Sequence, residues 1–237
     1  MPYEFSQTVA ACATLGAVRE AFGREIARHG FDHSAYRLVV PTETGTRSEF
    51  LFRNWSGEWT RRFERKRIGT QNNFVITEAR RRTTPFTWRD IRAARAFSPG
   101  DESVWNEAQA FGWRDGFVLP VHGPRGYLAT IGMATREREL DMSASRRLHL
   151  QMVALVVHLR CQELSNAIVL EEPSEALSAR ELECLRWVAA GKTDWEIAAI
   201  LSISQATVKF HLDRARRRLK AATRAQAVAQ LILRGLY

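Results

Sequence analysis

The chain has 237 residues, a formal net charge of +9, 45% hydrophobic and 10% aromatic residues. That length exceeds one ordinary domain, and that apolar content is enough for two buried cores. Cys12, Cys161 and Cys184 each sit in an apolar helical pattern without a second ligand at metal spacing, which argues against a disulfide scaffold or a zinc site.

A helix is predicted over roughly residues 3 to 29 from Phe5, Val9, Leu15, Val18, Phe22 and Ile26; Glu4 and the absence of a preceding basic segment argue against a signal peptide. No run approaches the ~18–20 apolar residues of a membrane span, so a soluble, cytoplasmic protein with no membrane partner is expected. Residues 35–40 and 48–53 read as strands joined by a turn at Pro41 to Gly45. Residues 117–122 and 127–134 read as a second pair joined by Gly123-Pro124-Arg125-Gly126. Helical stretches are expected near 57–67, 73–82, 102–112 and 143–167. The fold class is therefore α+β, an N-terminal α/β/α sandwich with an antiparallel sheet followed by an all-α domain.

Nine aromatics from Trp55 to Phe111 (Trp55, Trp59, Phe63, Phe74, Phe86, Trp88, Phe97, Trp105, Phe111) are interrupted by Asn54, Asn72 and Asn73. Such density fills a core or walls a ligand cavity, and the pattern alone leaves both open. In the helix from Ser143 to Ser165, Leu148, Met152, Leu155 and Leu159 form one stripe. Val153, Val156 and Val157 widen it beyond what one sheet face uses, which points to self-association. Glu171 to Glu175, with Pro173, has linker composition.

The remaining residues read as four short helices. Ser178 and Glu181 make a capping box ahead of Leu182, Leu185, Trp187 and Val188; Gly191 ends that helix in a left-handed conformation. Thr193 caps a scaffold helix with Ile197, Ala198 and Leu201 inward. After the turn Ser202-Ile203-Ser204, a third helix buries Val208, Leu212, Ala215 and Leu219 and turns Gln205, Thr207, Lys209, His211, Arg214, Arg216 and Arg217 outward. Between 204 and 224 seven Lys or Arg face one acid, Asp213. Polar side chains at the start of a helix and cations at its end fit the docking of a helix-turn-helix on duplex DNA. With Lys192 and Thr193 ahead of the scaffold helix, the expected DNA-contacting residues are Lys192, Thr193, Gln205, Thr207, Lys209, His211, Arg214 and Arg217.

Leu177 to Leu236 resembles the DNA-binding domain of the LuxR family, with Glu181, Leu185, Gly191 and the run Thr207-Val208-Lys209-Phe210-His211 at its characteristic positions. The resemblance implies a homodimer on a two-fold symmetric site, base contacts near Lys209 and one turn later at Asp213, and RNA polymerase as a further partner of an activator. Asn54-Trp55-Ser56-Gly57-Glu58-Trp59, Phe63, Thr84 to Trp88 and Gly112-Trp113-Arg114-Asp115-Gly116 are similar to the acyl-homoserine-lactone-binding domain of the same family. It implies that Trp59 donates to the lactone carbonyl, Trp88 walls the lactone and Gly116 permits a close backbone approach. It places the small-molecule site at Trp55, Trp59, Phe63, Asn72, Phe74, Trp88, Val104, Trp105 and Gly132.

Three positions depart from that family pattern. Phe63 replaces a tyrosine, Asn72-Asn73 replaces an Asp-Pro pair, and Gly132, beside Ala129, replaces Ser or Thr. Lost hydroxyls and added volume favour a branched or aromatic acyl group, or a regulator that responds to no lactone. No hydrolase, metalloprotease or phosphate-loop motif is present, so neither catalytic residues, a metal nor a cofactor is expected. After Val40 the chain gives Pro41-Thr42-Glu43 and no receiver-type repeat. The expected domains are 1–168 for the signal, 169–176 as linker and 177–237 for DNA.

Overall fold

Thr14 sets the first departure from the sequence pattern. Its hydroxyl accepts from the Ala17 amide and starts a new helix, so the expected 3–29 helix divides into α1 (Pro2–Ala10) and α2 (Leu15–Ala27). Cys12 lies in the break, half-buried, rather than within a helix. The structure, a computed structural model, describes all residues except 1, 43–44, 66–72, 124–125, 138–140, 166–175, 234 and 237. It divides into two compact units, one of residues up to Gly123 and from Tyr127 to Ile168, the other from Val169 to Tyr237.

The first unit is built on five antiparallel strands, β1 (His33–Thr42), β2 (Gly45–Arg53), β3 (Phe86–Thr87), β4 (Asp115–His122) and β5 (Leu128–Thr135), in the order β2-β1-β5-β4-β3. Among the described residues four helices lie between β2 and β4: α3 (Gly57–Arg65), α4 (Phe74–Ala79), α5 (Trp88–Ala94) and α6 (Pro99–Ala110). After β5 comes α7 (Ala144–Ser165). The pairs of strands match the sequence reading, but β3 and α5 are additions. A reciprocal capping box, Thr87 with Asp90, launches α5 straight from β3. A second box, Ser98 with Asp101 and Pro99 in the first turn, starts α6 three residues ahead of the expected 102.

Alternation along the strands divides the sheet into two faces. Tyr36, Leu38, Phe117, Leu119 and Ile131 pack against Val18, Phe22 and Ile26 of α2 and Leu150, Val153 and Val157 of α7. On the other face Val39, Val118 and Leu128 meet Phe74 and Ile76 of α4 and Ile91 of α5. A bulge in β2, where Tyr36 pairs with Phe52 but Arg37 with Phe50, sends Phe52 to the first face and Phe50 to the second. No described helix is long and apolar enough to cross a membrane.

The second unit contains α8 (Ala179–Ala189), α9 (Asp194–Leu201), α10 (Gln205–Arg218) and α11 (Arg224–Leu233). Capping boxes Ser178/Glu181 and Thr193/Glu196 open α8 and α9, and Gly191 closes α8 with φ +83°. Leu185, Ile197, Val208, Leu212, Ala215, Leu219 and Leu231 form the core. Asp194 and Arg224 join α9 to α11 through a bidentate pair of 2.6 and 2.8 Å.

The first unit's larger core also holds a polar contact between α7 and β1. His158 of α7, 3% exposed, places Nδ1 2.7 Å from the buried Tyr36 hydroxyl. Burial pushes the His158 pKa down to about 4 and raises that of the Tyr36 phenol. An unfolded histidine titrates near about 6.5, so below that pH the unfolded chain binds a proton that the folded chain refuses. The stabilisation is fully present above about pH 6.5 and is lost as pH falls toward 4, at up to about 1.4 kcal/mol per unit. Urea unfolding over that range is expected to show this extra slope in the wild type and not in His158→Asn. Equal slopes would contradict it.

Candidate functional site

Between the second sheet face and helices α3 to α6 lies a cavity of about 110 Å³. One water needs only ~10–15 Å³, so this is no packing flaw. Ala35 of β1, Gly132 of β5 and Val118 of β4 form its floor as direct cross-strand neighbours. Trp55, Trp59, Phe63, Phe74, Trp88, Val104 and Gly132, all expected from the sequence, line it. Trp105 does not: its ring packs against Phe74 and Phe97, with the Arg92 guanidinium over it. Asn72 lies outside the described residues. Its neighbour Asn73 lines the cavity and caps α4, its side-chain oxygen accepting from the Val75 amide at 2.8 Å.

The walls are aromatic and the polar groups in them are mostly donors. Trp59, Trp88 and Trp113 form a connected cluster, with ring centroids 4.4 Å apart for Trp59–Trp113 and 6.1 Å for Trp88–Trp113. The indole nitrogens of all three are buried without a hydrogen-bond partner, as is the Ser34 hydroxyl. Arg37 also lines the cavity, 6% exposed, its Nε donating to Ser48 Oγ at 2.6 Å and its guanidinium over the Phe50 ring. Burial, with Arg80 nearby, lowers the Arg37 pKa to about 10, which leaves it cationic at neutral pH. Each unpaired buried donor costs about 1–3 kcal/mol. This cavity is therefore complementary to a largely apolar molecule that carries several acceptor oxygens.

Ser34, Arg37, Phe50, Asn73 and Trp113 were not among the expected site residues. Trp113 stood in the quoted motif, and Arg37 interrupts an apolar strand; Phe50 joins Arg37 on this face only through the β2 bulge. Gly116 permits a close approach to its backbone, as the resemblance implied. A Cβ there would lie 2.3 Å from Trp88 Cε2 and 2.5 Å from its Nε1, so the close approach is made by the Trp88 indole. Phe63 packs into the wall with its ring 4.8 Å from Trp55 and 5.9 Å from Phe50.

In the second unit, Ser204 caps α10 by accepting from the Thr207 amide, and its hydroxyl lies 2.8 Å from that of Thr207. Gln205, Lys209, Arg214 and Arg217 are exposed, whereas Thr207 and His211 are half-buried on the flank. Lys192 bonds Glu196 at 2.9 Å at the start of α9, where Thr193 is the N-cap. Part of the basic run turns inward. Glu181, 1% exposed, receives Arg218 at 2.7 Å and Arg214 at 3.4 Å, and Arg216 donates to the Ala222 carbonyl at 2.9 Å. Arg218 is thus a core tie from α10 to α8, and Arg214 is held on its outer side. Lys209 and Arg217 remain as exposed cations on the outward side of α10, with Phe210 52% exposed between them.

Residues 14–161 match the autoinducer binding domain family, and residues 175–231 match the luxR family of bacterial regulatory proteins. The chain is 40% identical over 152 residues to the HTH-type quorum sensing-dependent transcriptional regulator RpaR of Rhodopseudomonas palustris, which covers 64% of this chain and 60% of RpaR. It is 30% identical over 225 residues to the transcriptional activator protein AhyR of Aeromonas hydrophila, covering 92% of this chain and 84% of AhyR. It spans about half to three fifths of the length of the first curated relatives it matches. The crystal structure of Escherichia coli SdiA superposes with a TM-score of 0.68 at 22% identity, over 99% of this chain and 97% of SdiA, so the two share a fold.

Gly116→Ala is expected to drive the Trp88 indole into the cavity, lower stability by about 1–3 kcal/mol and change the near-UV dichroism. At Gly132 an added Cβ meets only the Ala35 carbonyl at 3.9 Å, so Gly132→Ala should be tolerated. Thermal unfolding of the two variants checks this. Equal melting temperatures for both would contradict the packing described.

Proposed function

This chain belongs to the LuxR family of bacterial regulatory proteins, which are transcriptional regulators rather than enzymes, and we propose that it is a quorum-sensing regulator switched by an acyl-homoserine lactone. Residues 1–168 form the sensing domain, 169–176 the linker and 177–237 the DNA-binding domain. One observation carries the lactone reading: the three unpartnered indole donors and the Ser34 hydroxyl in a largely apolar cavity. A lactone carbonyl and an amide carbonyl supply the missing acceptors, and an acyl chain fills the apolar remainder. Trp59 donates to the lactone carbonyl. Asn73 lines the cavity beside these donors. The open floor over Gly132 leaves room for a branched or aromatic acyl group.

Dimerisation follows from α7. Leu148, Met152, Leu155 and Leu159 are 43–58% exposed in one stripe, while Val153 and Val157 are buried against the sheet. A second copy covers the stripe and brings two α10 helices to a two-fold symmetric site on double-stranded DNA. Ligand binding stabilises the folded sensing domain by mass action, and so raises the concentration of dimers that hold DNA. The ligand-independent alternative gains from Phe63, whose ring occupies the space of a polar contact, but it leaves the indole donors unexplained.

Trp59→Phe keeps the aromatic wall and removes one donor. It is expected to weaken lactone-induced thermal stabilisation, consistent with a loss of about 0.5–1.5 kcal/mol of binding energy. Absence of any thermal shift with every member of a panel of straight, branched and aromatic acyl-homoserine lactones would remove the lactone reading. For DNA, Lys209→Ala should cost about 1–3 kcal/mol on the operator and little on random duplex. Arg217→Ala should weaken both alike and reduce the salt slope by about one. Binding titrations at several salt concentrations separate the two; equal losses on both DNAs for Lys209→Ala would make it a phosphate contact. Leu155→Arg should yield a folded monomer by sedimentation with weakened operator affinity, and an unchanged dimer would exclude α7 as the interface.

A further inference from the structure

Away from the cavity, on the opposite side of the sheet, three metal-ligating side chains converge where α2 ends against α7. Glu25 belongs to α2, His29 lies just beyond its end, and His149 comes from the first half of α7. Among the described residues this is the one place where three such groups gather, with their ligand atoms all within 4.8 Å of one another. Glu25 Oε1 lies 3.3 Å from His149 Nε2 and 3.7 Å from His29 Nε2, and the imidazole centroids are 4.5 Å apart.

We propose that Glu25, His29 and His149 form a binding site for a divalent transition metal of the zinc class. Zinc–ligand bonds of ~2.0–2.2 Å in a tetrahedron separate neighbouring ligand atoms by ~3.3–3.6 Å, so the two Glu25–histidine distances require shifts of only tenths of an ångström. The carboxylate is already oriented: Arg28 donates to Glu25 Oε2 at 2.9 Å, which leaves Oε1 aimed at both rings. Such an outer contact fixes a ligand's orientation in metal sites. Glu25 is buried, and the histidine side chains are 21% and 22% exposed, so an ion has an entry path and a water can take the fourth position. Two imidazoles and one carboxylate suit zinc, cobalt or nickel rather than magnesium or calcium, whose sites are built from oxygen.

An ion at this point clamps the end of α2 to α7, the helix whose outer stripe carries Leu148 and Met152. Metal occupancy would therefore stiffen the element proposed to dimerise without touching the ligand cavity. Sequence spacing concealed the site, because Glu25 and His29 are four residues apart while His149 is supplied from 124 residues beyond Glu25.

The test uses full-length protein freed of any affinity tag and dialysed against chelator. Cobalt(II) added in increments should bind at one equivalent per chain with visible d–d absorption, be displaced by zinc(II), and raise the melting temperature by several degrees. His149→Ala and Glu25→Gln, each checked for folding by circular dichroism, should bind cobalt at least ~10-fold more weakly and lose the thermal shift. His122→Ala, at an exposed histidine elsewhere, should bind as the wild type does. Absence of stoichiometric binding, or His149→Ala binding cobalt as tightly as the wild type, would overturn the assignment. Both readouts are independent of lactone and DNA, so failure here would leave the proposed regulatory function standing.

Discussion

Buried hydrogen-bond donors must find acceptors, and in the sensing unit that requirement is unmet at Trp59, Trp88, Trp113 and Ser34. These four donors gather in one cavity whose remaining lining is mainly aromatic and aliphatic, with Arg37 and Asn73 beside them. A core designed only to be filled would place phenylalanine or leucine at those positions and avoid the cost. Tryptophan supplies a rigid apolar plate with a single polar handle, which suits a ligand that is hydrocarbon over most of its surface and carbonyl at a few points. The fold serves this arrangement. The β2 bulge turns Phe50 toward the cavity while Phe52 stays in the opposite core, and Gly116 lets the Trp88 indole approach β4 closely.

The two units divide the labour along physical lines. The sensing unit carries strained polarity inside and an exposed apolar stripe outside, on α7. Among the described residues of the second unit no buried side-chain polar atom lacks a partner: three of its helices begin at capping residues, and Glu181 gathers Ser178, Arg214 and Arg218 around one buried carboxylate. In the proposed function the second unit reads DNA, and ligand binding to the first sets how often two copies are presented together. The Glu25, His29 and His149 cluster adds a second possible control at the foot of α7.

Much of this was legible in the sequence because local chemistry dictated it. Ser178, Thr193 and Ser204 announced their helices, Gly191 its left-handed turn, and the paired strands their hairpins. Features set by long-range register were hidden. Alternation cannot reveal that an extra residue in β2 separates Phe50 from Phe52, nor that Trp113 packs on Trp59 in the cavity wall. The continuous apolar stripe of residues 5 to 26 concealed the break at Thr14, since two helices in succession preserve the same period. The basic run of α10 also misled in part: the pattern cannot distinguish Arg217, facing outward, from Arg216, half-buried and donating to the Ala222 carbonyl. Trp105 lies within the aromatic run yet packs behind the cavity with Phe97.

The most direct measurement follows the tryptophan side-chain N–H resonances of ¹⁵N-labelled protein while acyl-homoserine lactones are titrated in. The seven tryptophans give a countable set of signals, assigned by single Trp→Phe variants. The account predicts that the cognate lactone moves the Trp59 resonance, and at least one of Trp88 and Trp113, downfield as new hydrogen bonds form, while exposed Trp195 stays in place. If the folded protein shows no movement of those three signals with any lactone of the panel, the cavity is not completed by such a ligand, and the central claim fails.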